Sequence, residues 1–173
     1  MTFAILWTGL VAGVLDGLAA IALFLIRGGR APARIFNYIA SGVFGPAALS
    51  GGMPMALAGV GFHLVIAIGW TTLFFLVAQR WEALRRHVVA AAVGYGVFVW
   101  VMMSQVVLPL SRVQMAARTD VTQAVIAALV LIGCIGAPIS IGARKFLHVA
   151  GPEDLASIRK EAGPSDPTGG GAG

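Results

Sequence analysis

The stretch Phe3–Ile26, FAILWTGLVAGVLDGLAAIALFLI, decides the fold: it is apolar almost throughout and carries a single charge, Asp16. A helix rises about 1.5 Å per residue, so about 20 apolar residues cross about 30 Å of hydrocarbon. Three further stretches meet that requirement with no charge at all: Pro54–Ala78, Val88–Leu108 and Val121–Gly142. Each run ends on polar or helix-breaking residues, namely Arg27-Gly28-Gly29-Arg30, Gln79-Arg80, Pro109 and Arg144-Lys145. Backbone polar groups in lipid must be paired internally, so these segments are helices; the strict in/out alternation of a barrel is missing. The chain is therefore expected to be all-α, a polytopic membrane protein with four transmembrane helices.

Composition agrees. Only 11% of the 173 residues are charged and 58% are hydrophobic, against about 25% charge in a soluble domain. Asp16 is the one charged side chain inside an apolar run; the rest lie in loops, ends or the tail. The 23 glycines sit within apolar runs and follow no collagen period. A single cysteine, Cys134, excludes an intramolecular disulfide and multi-cysteine metal sites. The net charge of +5 reads as loop arginine rather than a nucleic-acid footprint. No basic residue precedes the first run, and that run is too long for the core of a cleavable signal peptide.

Between the first two spans, Ile35–Met53 is uncharged but broken by Gly45-Pro46. Ile35, Ile39 and Val43 share a helical stripe with Phe36, Ala40 and Phe44 beside it, while Asn37 and Ser41 fall on another face. That predicts an amphipathic helix over about 35–45, too short to span and either interfacial or re-entrant. Residues 1–150 thus form one transmembrane domain. In the tail, Pro152–Ala162 has the terminal residues of a short surface helix, and the Gly/Pro-rich 163–173 is expected to be disordered.

With four spans, both termini lie on the side of the loop at Arg80–Arg86. That side carries seven basic residues and the other side five (Arg27, Arg30, Arg34, Arg112, Arg118), so the positive-inside rule puts the termini in the cytoplasm. The arginines that follow the first span argue the other way. Arg80, Arg85 and Arg86, beside Trp81, form a basic cluster expected to face anionic lipid.

Helices in lipid associate by close packing of small residues. Gly9, Gly13 and Gly17 make a doubled GxxxG on the first span; Gly59 lies with Ala56 and Ala67 on the second; Gly133 and Gly136 lie with Ser140 on the fourth. These are the expected packing faces. Three spans carry one strongly polar interior residue each. Counted from the shared side, Asp16 lies about 20 Å deep, His63 about 24 Å and Gln105 about 26 Å. Asp16, His63 and Gln105 are therefore expected in one intramembrane layer. Asp16 and His63 can form an ion pair, or share a hydrogen bond when both are neutral, and titrate as a unit. The alternative is a plain interhelical hydrogen bond. His87 and His148 lie at or past the membrane edge, too far from His63 for a bis-histidine haem. No metal, catalytic or phosphate-loop motif is present, so neither cofactor nor metal is expected. Pro138 is expected to remove one backbone hydrogen bond and kink the fourth helix.

Several stretches resemble a group of small bacterial inner-membrane proteins: Gly13-Val14-Leu15-Asp16, Arg34–Gly52, the glycine-to-histidine stretch ending at His63, and Gly94-Tyr95-Gly96 through Val107-Leu108-Pro109-Leu110-Ser111. The layout is also similar to YagU-type inner-membrane proteins. The resemblance covers about residues 9–111. It implies a four-helix protein of the bacterial inner membrane and brings no catalytic residue. The functional expectation is a non-enzymatic membrane module whose partners are the bilayer and itself or another membrane protein. The alternative is a small transport or proton-coupled subunit built on Asp16 and His63.

Overall fold

The structure is a computed structural model and describes residues 1–112 and 120–147. The expected tail helix and glycine-rich end lie outside the described residues. All regular structure among the described residues is helical. Four helices are long and apolar enough to cross a membrane: α1 (Thr2–Ile26), α3 (Gly52–Arg80), α5 (Val88–Leu110) and α6 (Val121–Phe146). Between them lie α2 (Ala33–Phe44), followed by a 3₁₀ turn at Pro46–Ser50, and the short α4 (Glu82–Arg86).

The spans run longer than the apolar count predicts. Pro54 stands in the first turn of α3, where its missing N–H is no loss. Arg144 and Lys145 fall in the last turn of α6, where cations favour the helix dipole. At Pro109, predicted to end the third span, α5 instead continues to Leu110. The continuation has a local cause. A proline interrupts the bond to the carbonyl four residues back and crowds it. For Pro109 that carbonyl belongs to Gln105, and for Pro138 it belongs to Cys134. Each lies inside a π-helical turn, at Met103–Val107 in α5 and Ile132–Gly136 in α6. Where a kink was expected at Pro138, the structure shows a π turn just before it.

Consecutive spans run antiparallel, and small residues set how closely they meet. On α1, Ala4, Thr8, Ala12, Gly13 and Gly17 are buried while Phe3, Leu6, Leu10, Val14 and Leu18 are exposed. Small inside and large outside is the pattern of a helix whose surroundings are apolar. A side-chain carbon at Gly9 would press on the Ile68 backbone, and one at Gly13 on Ala67 and Leu64. A carbon at Gly96 would meet the Ile132 backbone, one at Gly136 the Ala92 carbonyl, and one at Gly142 the Thr8 side chain. Phe74, Phe75, Val99, Ile135 and Ile139 fill the core between these contacts.

Helix α2 packs across α3, with the Phe36 backbone seated against Gly59. Its polar stripe faces the bundle. Asn37 and Ser41, the polar stripe, are buried, whereas Val43 and Phe44 are exposed. Phe44 leans on Phe62, with ring centroids 5.7 Å apart.

Candidate functional site

Glycine spacing on α1 builds the site. Gly13 and Gly17 leave the helix surface bare, and the His63 ring on α3 lies on that surface. His63 Nε2 is 2.9 Å from the Gly13 carbonyl oxygen. A carbonyl only accepts, so Nε2 carries a proton and donates it. The Asp16 carboxylate, one turn along α1, places Oδ2 3.8 Å from the same nitrogen. The hydrogen goes to the Gly13 carbonyl, and the carboxylate, beyond hydrogen-bond length, meets the ring through charge. The Phe36 ring meets the imidazole edge-on at 6.3 Å. A side-chain carbon at Gly17 would stand 3.4 Å from Nε2, so the second glycine keeps the ring's seat open.

The two side chains are screened but not sealed: 16% of His63 and 19% of Asp16 is exposed. The π turn of α6 that carries Cys134 packs against α1. Three helices thus contribute to one locality. Among the described residues, no three His, Cys, Asp or Glu side chains gather closely enough to hold a metal ion. The site is a carboxylate on α1 beside an imidazole on α3 that is itself hydrogen-bonded to the α1 backbone.

Gln105 does not join them. It is exposed on the π turn of α5. The depth count misplaced it by treating Val88 as level with the start of the other spans. Gly96 faces Ile132 and Gly136 faces Ala92, so the level of Cys134 falls near residue 94 of α5. Gln105 is eleven residues further along, about 16 Å.

The packing glycines divide. Gly9, Gly13, Gly17, Gly59 and Gly136 are buried at helix contacts. Gly133 is exposed, and a carbon added there would meet nothing within 4 Å, which corrects the packing role expected of it. Gly96 and Gly142 take that role instead. The basic cluster is also divided. Arg80 and Arg86 are exposed, but Arg85 donates from Nη1 to the Leu147 carbonyl at 2.7 Å, with its Nε buried. It caps the end of α6 rather than facing lipid, because the last helical carbonyls lack partners of their own.

Sequence reasoning missed Cys134 at this locality. No motif marks it; its place follows from the α1–α6 register. Arg27 bonds Gln123 and Gly142 abuts Thr8, and the residue numbers of each pair total 150; the same antiparallel register brings Cys134 level with Asp16.

The chain matches no family model, and no curated protein or solved structure is significantly similar to it. The likeness to YagU-type proteins therefore rests on the quoted motifs alone.

Proposed function

We propose that the chain is a non-enzymatic module of the bacterial inner membrane that carries a proton-linked Asp16–His63 site and acts on a partner protein or a second copy. The observation behind this reading is the 3.8 Å approach of the Asp16 carboxylate to a histidine nitrogen of another span. An ionisable residue within a span is expensive, and its usual return is function. A proton gained or lost at the pair changes how α1 and α3 hold each other, and that change is what a bound partner would sense. The small proton-coupled transport subunit is the variant of this reading in which the proton also crosses the membrane. The seven-to-five basic count supports cytoplasmic termini.

The burial of Asn37 and Ser41 on α2 supports the re-entrant reading of that helix over an in-plane anchor. Val43 and Phe44 are exposed, and a surface that places them outward suits lipid. Phe36 meets Gly59 seven residues into α3, about 10 Å along the helix, which favours a helix that dips below the interface.

Histidine ring NMR on the full chain in micelles tests the site, with His63→Ala assigning the signal. Asp16→Asn is expected to shift the His63 ring resonances, because the carboxylate stands 3.8 Å from Nε2. Resonances that keep their wild-type positions defeat the proposal and leave the structural reading. In that reading, the His63–Gly13 hydrogen bond merely ties α3 to α1.

A further inference from the structure

We infer that the groove at the end of α1 is a binding site for the phosphate headgroup of an anionic phospholipid, with an acyl chain lying against α1. Three arginines, Arg27, Arg30 and Arg34, line one groove of about 750 Å³. No carboxylate lines it, and none of the three arginines is in an ion pair among the described residues. Like charges gathered in one recess repel each other unless an anion joins them. Guanidinium groups suit that anion when it is a phosphate, which they hold through paired hydrogen bonds.

The backbone that presents them is built rather than loose. Gly28 has φ +83, Gly29 N–H bonds the Phe24 carbonyl and Gly28 N–H bonds the Leu25 carbonyl, both at 2.9 Å. This pair of bonds is the Schellman ending of a helix, which needs a residue without a side chain at the left-handed position. It turns the chain sharply, so that Arg30 and Arg34 come back beside Arg27. Arg27 is held in place by Gln123 of α6, with Nη1 3.2 Å from its side-chain oxygen.

The other wall of the groove decides between a lipid and a free anion. Leu23, Phe24 and Ile35 also line it. Leu23 and Phe24 stand in the last turns of a membrane span, so this wall continues into the hydrocarbon. The groove therefore straddles the boundary at which a phospholipid carries its phosphate. This assignment depends on the four spans and not on the proton chemistry of Asp16.

The test uses the full chain in mild detergent, with native mass spectrometry and thermal unfolding read in parallel. Phosphatidylglycerol is expected to be retained as a bound copy and to raise the melting temperature, while phosphatidylcholine does neither. The double variant Arg30→Gln/Arg34→Gln changes only exposed side chains. It is expected to weaken phosphatidylglycerol binding about thirty-fold, about five-fold per lost charge near the membrane surface. Arg144→Gln/Lys145→Gln, exposed at the other end of the bundle, should leave binding intact. Three results overturn the inference: equal retention of the two lipids, wild-type binding by the Arg30/Arg34 variant, or inorganic phosphate alone matching the lipid. The last would make the groove a site for a free anion.

Discussion

The seam between α5 and α6 and the seam between α3 and α5 are built in opposite ways. At the first, Gly96 meets the Ile132 backbone and Gly136 meets the Ala92 carbonyl, so two main chains touch. At the second, the helices meet through rings. Tyr95 lies 4.7 Å from Phe74 and 5.8 Å from Phe98, and Trp70 lies 5.9 Å from Phe98. A cavity of about 670 Å³ opens beside those rings, lined by residues such as Leu73, Val77, Leu84 and Gly94. The contrast shows where each helix pair gets its hold. Lipid tails are as apolar as leucine, so burying large side chains gains little in a membrane and close approach gains more. Glycine closes the α1–α3, α1–α6 and α5–α6 seams, and the aromatic seam is held mainly by shape and by one hydrogen bond.

The sharpest way to break the comparison is to add one methyl group to the glycine seam. Gly136→Ala would set a carbon against the Ala92 carbonyl oxygen, and a main chain in a helix cannot step aside as a flexible side chain can. The expected loss is about 3 kcal/mol, the upper range for overpacking, read by denaturant unfolding in micelles. Wild-type stability would mean that α5 and α6 slide freely at this contact.

The spans were legible because apolar length is a local property, readable without knowing what lies opposite. Asp16 and His63 were legible for a related reason: the Gly13–Gly17 period marks the face of α1 that a neighbour approaches, and Asp16 lies beside it. The rest depended on register. Gln105 was placed by counting from Val88, and the count failed because α5 enters the bundle further in than the other spans. Gly133 was read onto the same face as Gly136, but both lie in a π turn. There the i→i+5 pairing inserts a residue, which shifts the face by about one 100° helical step. Helix α2 was read as amphipathic, but which of its stripes faces the bundle was not readable from the segment alone. Its buried Asn37 donates from Nδ2 to the Leu49 carbonyl at 3.5 Å, a contact that only the following turn creates. Arg85 read as a lipid contact because nothing local shows that the end of α6 returns beside it.

A middle-sized effect is expected at the aromatic seam. Tyr95 donates its hydroxyl hydrogen to the Trp70 carbonyl of α3. Tyr95→Phe keeps the ring and its contacts and removes only that bond. The expected loss is about 0.6 kcal/mol, the mean for interhelical hydrogen bonds in membranes. A loss as large as that of Gly136→Ala would show that the two seams are equally rigid and that the contrast is one of shape alone.

The smallest effect has the opposite sign. Gly94 lies on α5 two residues from Gly96 and lines the aromatic-seam cavity, and a carbon added there meets nothing within 4 Å. The same methyl group that disrupts position 136 thus has room at position 94. Glycine within a helix costs stability through the freedom of its unfolded backbone, so Gly94→Ala is expected to gain about 0.5 kcal/mol. The two substitutions are chemically identical and both alter a helical glycine, so helix propensity alone predicts the same sign for both. Opposite signs in one unfolding series would show that main-chain contact across a seam, and not the residue's own preference, decides what a glycine is worth. A loss at Gly94 would mean that the cavity closes in solution and that α3 and α5 approach more tightly than their rings suggest.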